Sequence, residues 1–321
     1  MSANLNSRNG KVSMMYVKDV PWHGLGTRLE NLATSEEAIK AAQLNYTVVK
    51  TRLLTEVAKK NILVPNRFAT VRTDTTDVLG VVGSRYHVIQ NVDAFRFFDS
   101  LVGEGAAIYD TAGALGKGER IWILAKLPGH IKVKGNDIVD KYLLLSNSHD
   151  GSSIVRAKLT PIRVVCENTL SMALRGSDEE VRVRHTANAD EMLEKAHELM
   201  GLTNSLYDQI TEIYRKMSLV NFTGDQVLDY VKTLVPDNED AERHTRTENI
   251  RGKILELHET GAGSDMSRGT LWGAYNSVTE FVDHVHTSTA VDKKLNSIWF
   301  GSGEKLKIEA FNLAKEIASK N

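Results

Sequence analysis

Ser148, His149 and Asp150 bring the three residue types of a nucleophilic relay into one stretch, but they do so consecutively. Neighbours on an extended chain point to opposite faces, and a relay needs members converging from separate elements. The stretch therefore reads as a polar hairpin turn. Gly113-Ala114-Leu115-Gly116-Lys117-Gly118 invites comparison with a phosphate loop, yet Thr111 stands five before Gly116, and Lys117 precedes Gly118 rather than a hydroxyl residue. It also runs between two expected strands instead of into a helix. That leaves a flexible hairpin tip presenting Lys117 and Arg120. Gly24-Leu25-Gly26 lacks the third glycine and the preceding strand of a dinucleotide fingerprint. In Asp283-His284-Val285-His286 the two imidazoles would face about 200° apart on a helix, so only non-helical backbone there, with His244 or His258 joining, would make a metal site. Cys166 is the single cysteine, which excludes an intramolecular disulfide and any multi-cysteine zinc or iron–sulfur centre, and it reads as a small buried residue. No catalytic residue, metal site or cofactor is assigned, and the chain is expected not to be an enzyme.

One diffuse constellation remains. Cations and rings interleave at Arg67-Phe68, Arg72, Arg85-Tyr86-His87, Tyr109, Lys117, Arg120-Ile121-Trp122, Lys126, Arg156, Lys158 and Arg163. On one sheet face, such cations could track a phosphate backbone while rings stack on bases. An ordinary half-solvated sheet, with Lys and Arg outside and rings inside, shows the same pattern. The candidate nucleic-acid contacts are Arg67, Arg72, Arg85, Tyr86, Lys117, Arg120, Lys126, Arg156, Lys158 and Arg163. Charge is uneven: residues 1–185 hold 25 Lys+Arg against 19 Asp+Glu, whereas 186–260 hold 8 against 15. A mildly basic first half permits a polyanion-binding face without requiring one, and a pI near 6.8 gives it little further support.

The elements that would position these groups follow from periodicity. The first thirty residues show little of it and are expected to form an arm or surface loop. Thr34-Ser35-Glu36-Glu37 opens a short helix through Leu44. Strands are expected over Tyr46–Arg52, Ile62–Val64, Arg67–Arg72 and Val78–Val82, then an amphipathic helix capped by Asn91. Further strands are Ala106–Tyr109, Ile121–Leu127, Tyr142–Ser146 and Ser153–Leu159, the last pair joined at Asp150-Gly151. Ile162–Val165 follows, and Asn168–Leu174 reads as a helix. Beyond Thr186 the pattern is helical: Asp190–Met217, Thr223–Leu234, Asp240–His258, Leu271–His286 and Glu304–Ala318. Trp272, Tyr275, Val278, Phe281 and Val282 fall at helical spacing and read as core. The fold class is α+β, an antiparallel sheet with packed helices in the N-terminal half followed by a mainly helical C-terminal half. Its parts are an arm and short helix (1–45), an α+β domain holding the candidate contacts (46–187) and a helical region (188–321). A length of 321 residues supports two domains with a real core, and no apolar run or leader pattern marks a membrane span or export signal, so a cytoplasmic location is expected.

Six stretches, in order along the chain, resemble the phage/plasmid-like proteins of the domain of unknown function 932 type. They are Pro21–Gly26, Tyr86–Asn91, Asn147–Ser152, Thr160–Leu170, Thr270–Asn276 and Phe300–Gly303. The resemblance implies a gene carried by a phage, prophage or plasmid, and a host-cell cytoplasmic setting, but no catalytic residues. The strand–helix–hairpin order is similar in architecture to single-strand annealing proteins such as the RecT, Red-beta and Erf groups. The expectation is thus an ATP-independent single-stranded DNA-binding and annealing protein acting in recombination, assembled as a homo-oligomeric ring or filament, with no membrane partner. The alternative is a non-enzymatic anti-defence protein that binds a nucleotide signal or a host protein. A third class is a hydrolase built on residues 147–151 with His23 or His87.

Overall fold

Thr34 starts the first helix, α1 (Ser35–Ala41), as the sequence leads one to expect: its hydroxyl accepts from the Glu37 backbone while the Glu37 carboxylate accepts from the Thr34 N–H at 2.9 Å. This computed structural model describes residues 5–8, 10–17, 25–31, 33–102, 108–163, 165, 168–169, 180–186, 205–237, 241–286, 297–299 and 301–321. They divide into two compact units, Met1–Pro128 with Tyr142–Leu159 and Glu180–Thr203, and Gly129–Lys141 with Thr160–Glu179 and Asn204–Asn321. The class is α+β, with mostly antiparallel strands and the helices concentrated in the C-terminal half.

The first unit begins with a small hairpin, β1 (Ser7–Arg8) and β2 (Lys11–Val12). Next come β3 (Met14–Val17) and its parallel neighbour β4 (Thr27–Leu29). All four residues of β3 are buried, and β3 also pairs antiparallel with β8 (Ile108–Leu115). The expected N-terminal arm is thus corrected: Met14–Val17 is sheet interior. A four-residue apolar run is too short for periodicity to reveal it. The sheet continues from β8 through β9 (Arg120–Lys134) and β10 (Asp137–Ser148) to β11 (Val155–Leu159) and β14 (Glu180–Val183). Alternation places Val155, Ala157 and Leu159 inside, with Arg156 and Lys158 on the opposite face.

A separate three-stranded sheet runs β5 (Val48–Val57), β6 (Lys60–Arg72) and β7 (Val78–Gly83). The sequence indicates two strands here, Ile62–Val64 and Arg67–Arg72. The strand instead runs through Pro65 and Asn66, the latter at φ 56°, with a ladder irregularity opposite Arg52 and Leu54. Ala58 and Lys59 turn the β5–β6 hairpin with both φ values positive and neither residue a glycine. Such a turn leaves no signal in the sequence. Helix α2 (Asn91–Val102) follows, burying Ala94 and Phe95, with the Phe95 ring 5.5 Å from Tyr109.

The glycine-rich segment is also corrected. Gly113 lies inside β8, where any Cβ would come within 2.3 Å of the Trp122 ring. The turn itself is pinned: the Gly118 carbonyl accepts from the Tyr46 hydroxyl at 2.7 Å and the Lys117 carbonyl from Arg72 at 2.7 Å. It is a fixed corner of the core.

In the second unit, β10 pairs with β12 (Ile162–Arg163), which pairs with β13 (Asn168–Thr169). The helix expected from Asn168 therefore starts as strand, and its later residues lie outside those described. The helices are α3 (205–219), α4 (Asp225–Leu234), α5 (Ala241–Thr260), α6 (Ser264–Ser267), α7 (Leu271–Glu280) and α8 (Ser302–Lys320), with a π-helical turn at Phe281–Val285. The Asp190–Met217 stripe is described only from 205 onward. Their core is aromatic: Tyr214 lies 4.7 Å from Trp272 and 6.2 Å from Phe311. Trp272, Tyr275, Val278, Phe281 and Val282 are all buried, as their spacing indicates. Two polar contacts fix the core's register, Trp272 Nε1 donating to Asp137 at 2.8 Å and Lys307 Nζ to Asp283 at 2.8 Å. Among the described residues no helix is long and apolar enough to cross a membrane.

Candidate nucleic-acid interface

Three segments of the first unit form an open cleft of about 740 Å³. They are Pro65-Asn66-Arg67 on β6, Gly83-Ser84-Arg85-Tyr86 at the end of β7, and Arg184-His185-Thr186 after β14. Each segment has a local reason to be there. Asn66, in the left-handed region, lies where the β5–β6 ladder loses its regular register. Lys50 on β5 holds the β7 loop, donating to the Ser84 and Tyr86 carbonyls at 2.6 and 2.8 Å. The third segment is tied to the second by a reciprocal pair: the His87 N–H donates to the His185 carbonyl at 2.5 Å, and His185 Nδ1 donates to the His87 carbonyl at 3.1 Å. Bonding a carbonyl fixes the proton on Nδ1.

Tyr86 anchors the cleft floor. Its ring stacks on His185 at 4.5 Å and 19°, and its hydroxyl donates to the Ser148 carbonyl at 2.9 Å. Burial raises the Tyr86 phenol and lowers the His185 imidazole, so both are neutral near pH 7. The charge of the cleft comes from Arg67, Arg85 and Arg184, all exposed, and among the described residues no Asp or Glu lines it. None of the three forms a salt bridge among the described residues. Three exposed guanidiniums beside a ring have the fork geometry and charge that can hold phosphate groups.

Arg67, Arg85 and Tyr86 are therefore the candidate contacts that the fold brings together. Arg72 belongs elsewhere: it is 2% exposed, stacks at 3.7 Å on Tyr46, and forks onto Asp74 at 3.0 and 3.1 Å. Its remaining nitrogen donates to Asn6 and to the Lys117 carbonyl. Lys117 is exposed at the pinned turn, and Arg120 donates to Ser152 at 3.2 Å. Lys126 is half-buried on β9, Arg156 and Lys158 are half-buried on β11, and Arg163 is placed on β12 by its backbone alone. Sequence reasoning missed Arg184 and Lys50. The alternation Val181-Arg182-Val183-Arg184 was the available signal for a strand end carrying cations on one face.

Beneath the cleft, Ser148, His149 and Asp150 form no relay. Ser148 donates to Asp150, while His149 Nε2 bonds Asn91 at 2.8 Å and its Nδ1 has no partner among the described residues. Asn147 and Ser148 are 1% exposed and His149 is 0% exposed, so the stretch is a buried polar knot rather than a solvated turn. Burial pushes the His149 imidazole down to about 3 from an ordinary 6.5. Below pH 6.5 the unfolded chain then takes up a proton that the folded chain refuses, removing about 1.4 kcal/mol of stability per pH unit until pH 3. His149→Gln is expected to flatten this dependence, and urea unfolding at pH 7 and pH 5 measures it. An unchanged slope in the variant rules out His149 as its source.

In the second unit, Asp237, His244 and Glu248 lie within 4.8 Å of one another. The Arg251 guanidinium already bridges Asp237 and Glu248 at 2.7 Å each, taking the place a cation would occupy. His284 is exposed beside the half-buried His286 after the π-turn, and neither belongs to that group.

This α+β protein with an arginine-lined cleft belongs to the family described as "Domain of unknown function (DUF932)", whose family model matches residues 78–299. No curated protein matches the chain. No solved structure matches it either. Two of the family-like stretches meet directly under the cleft: Tyr86 bonds Ser148, Asn91 bonds His149, and Asn147 Nδ2 donates to the Ile89 carbonyl at 3.0 Å.

Proposed function

We propose that the protein binds single-stranded nucleic acid through this cleft, without ATP, and promotes annealing for a phage or mobile element in the cytoplasm of its host. The observation that carries the reading is the set of three exposed arginines with no lining carboxylate among the described residues. An open cleft lets a flexible strand enter with its bases splayed, whereas a duplex holds its phosphates at fixed spacing and hides its base faces. Strand pairing draws its energy from the bases, so the protein needs only to hold phosphates and to repeat its site in a ring or filament.

Fluorescence anisotropy with a labelled oligothymidine across a salt series tests this. Three phosphate contacts on a single strand give a log–log salt slope of about −2. Equal affinity for duplex, or affinity unchanged by salt, overturns the reading. The volume of about 740 Å³ also lies in the small-ligand range. Stoichiometric binding of a cyclic dinucleotide, with no oligonucleotide binding, would favour the signal-sequestering alternative.

A further inference from the structure

The β5–β6 hairpin extends beyond its sheet. β7 pairs with β6 only over Arg67–Val71, so from there to the turn the hairpin is two strands alone. Every residue from Leu54 to Leu63 is exposed, including Leu54 at 55%, Val57 at 57% and Ile62 at 48%. A two-stranded ribbon with bare apolar residues is marginal in water and calls for a partner.

Its two edges differ. The β6 edge is blunted by Pro65, which has no N–H, and by the left-handed Asn66. The β5 edge has neither device. At its base the Gln90 amide stands in for a strand, accepting from the Val48 N–H at 3.0 Å and donating to the Val48 carbonyl at 2.8 Å. Beyond Val48 no strand flanks that side among the described residues, and no residue of β5 has a positive φ.

We propose that the β5 edge pairs antiparallel with the β5 edge of a second copy, about a two-fold axis at Leu54. The sequence Thr51-Arg52-Leu53-Leu54-Thr55-Glu56-Val57 is self-complementary in that register. Leu54 meets its own equivalent, Thr51 meets Val57, and Arg52 meets Glu56 twice because each contact of a two-fold interface is repeated. Arg52 and Glu56 are both exposed, lie on the Leu54 face, and form no ion pair within the chain among the described residues. Their own cross-strand neighbours are Phe68 and Asn61, so neither charge is required by the hairpin. The pairing uses the hairpin edge opposite the cleft's Pro65–Arg67. It stands whether or not the cleft binds nucleic acid.

Analytical ultracentrifugation of the full chain from 1 to 100 μM tests it, with circular-dichroism melting as the control for folding. The native chain is expected to associate in this range. Arg52→Glu and Glu56→Arg, tested singly, each bring like charges together twice and should weaken association at least tenfold. The double variant should recover to within about threefold. Mixing the two single variants should also restore association, since one chain then supplies two anions and the other two cations. A native chain that stays monomeric at 100 μM, single variants that associate normally, or failure of both rescues overturns the proposal.

Discussion

Replacing Arg67, Arg85 and Arg184 together with alanine should weaken single-strand binding about 100-fold while leaving the melting temperature unchanged. All three side chains are exposed and none holds the fold together by an ion pair among the described residues. Each lost phosphate contact costs on the order of 1 kcal/mol, and three sum to about two decades in affinity. The same contacts set the salt dependence, so the slope should flatten by about 2 in the triple variant. Anisotropy titrations at two salt concentrations read both effects. Native affinity in the triple variant removes the cleft from the account, whatever else the protein binds.

Arg72→Met should do the opposite: a fall in melting temperature of about 10 °C with little change in the affinity of the folded fraction. The Arg72 guanidinium is the common partner of Asp74, Asn6 and the Lys117 carbonyl, and its carbon lies 3.7 Å above the centre of the Tyr46 ring. Removing it takes the fork away from the Asp74 carboxylate and the charged donor from the Lys117 carbonyl, and breaking such a buried pair typically costs about 3–5 kcal/mol. In a unit of this size each kcal/mol is worth roughly 2–4 °C. Arg72→Lys keeps the charge but not the fork, and should recover only part of the loss. Differential scanning calorimetry separates the two substitutions, and a variant that melts like the native chain shows Arg72 to be dispensable for the fold.

These two arginine groups show where the sequence was legible. Arg67 and Arg72 carry the same side chain on the same strand, β6, and neighbouring residues do not distinguish them. Arg72 is drawn inside because the Lys117 carbonyl, distant in sequence, sits above it. Arg67 is exposed beside Pro65 and Asn66, where the β5–β6 ladder is irregular. Local signals carried the cap at Thr34, the helical half and the Trp272 core, since each depends on spacing within a few turns. The cleft depends on Arg184 meeting Arg85 across about a hundred residues, which no periodicity encodes. Gly113 misled for a related reason: its missing side chain makes room for the Trp122 ring on the neighbouring strand.

The position of β3 bears on how the chain is made. Met15 pairs with Ala112, so this wholly buried strand leaves the ribosome about a hundred residues before its antiparallel partner. At roughly 5–20 residues per second, the nascent chain carries the Met14–Val17 run without that cover for roughly 5–20 s. During this interval β4 is the one strand neighbour available to it, and a lone parallel pair is poorly stabilised. This window of exposure to aggregation therefore opens early in synthesis and closes when β8 emerges.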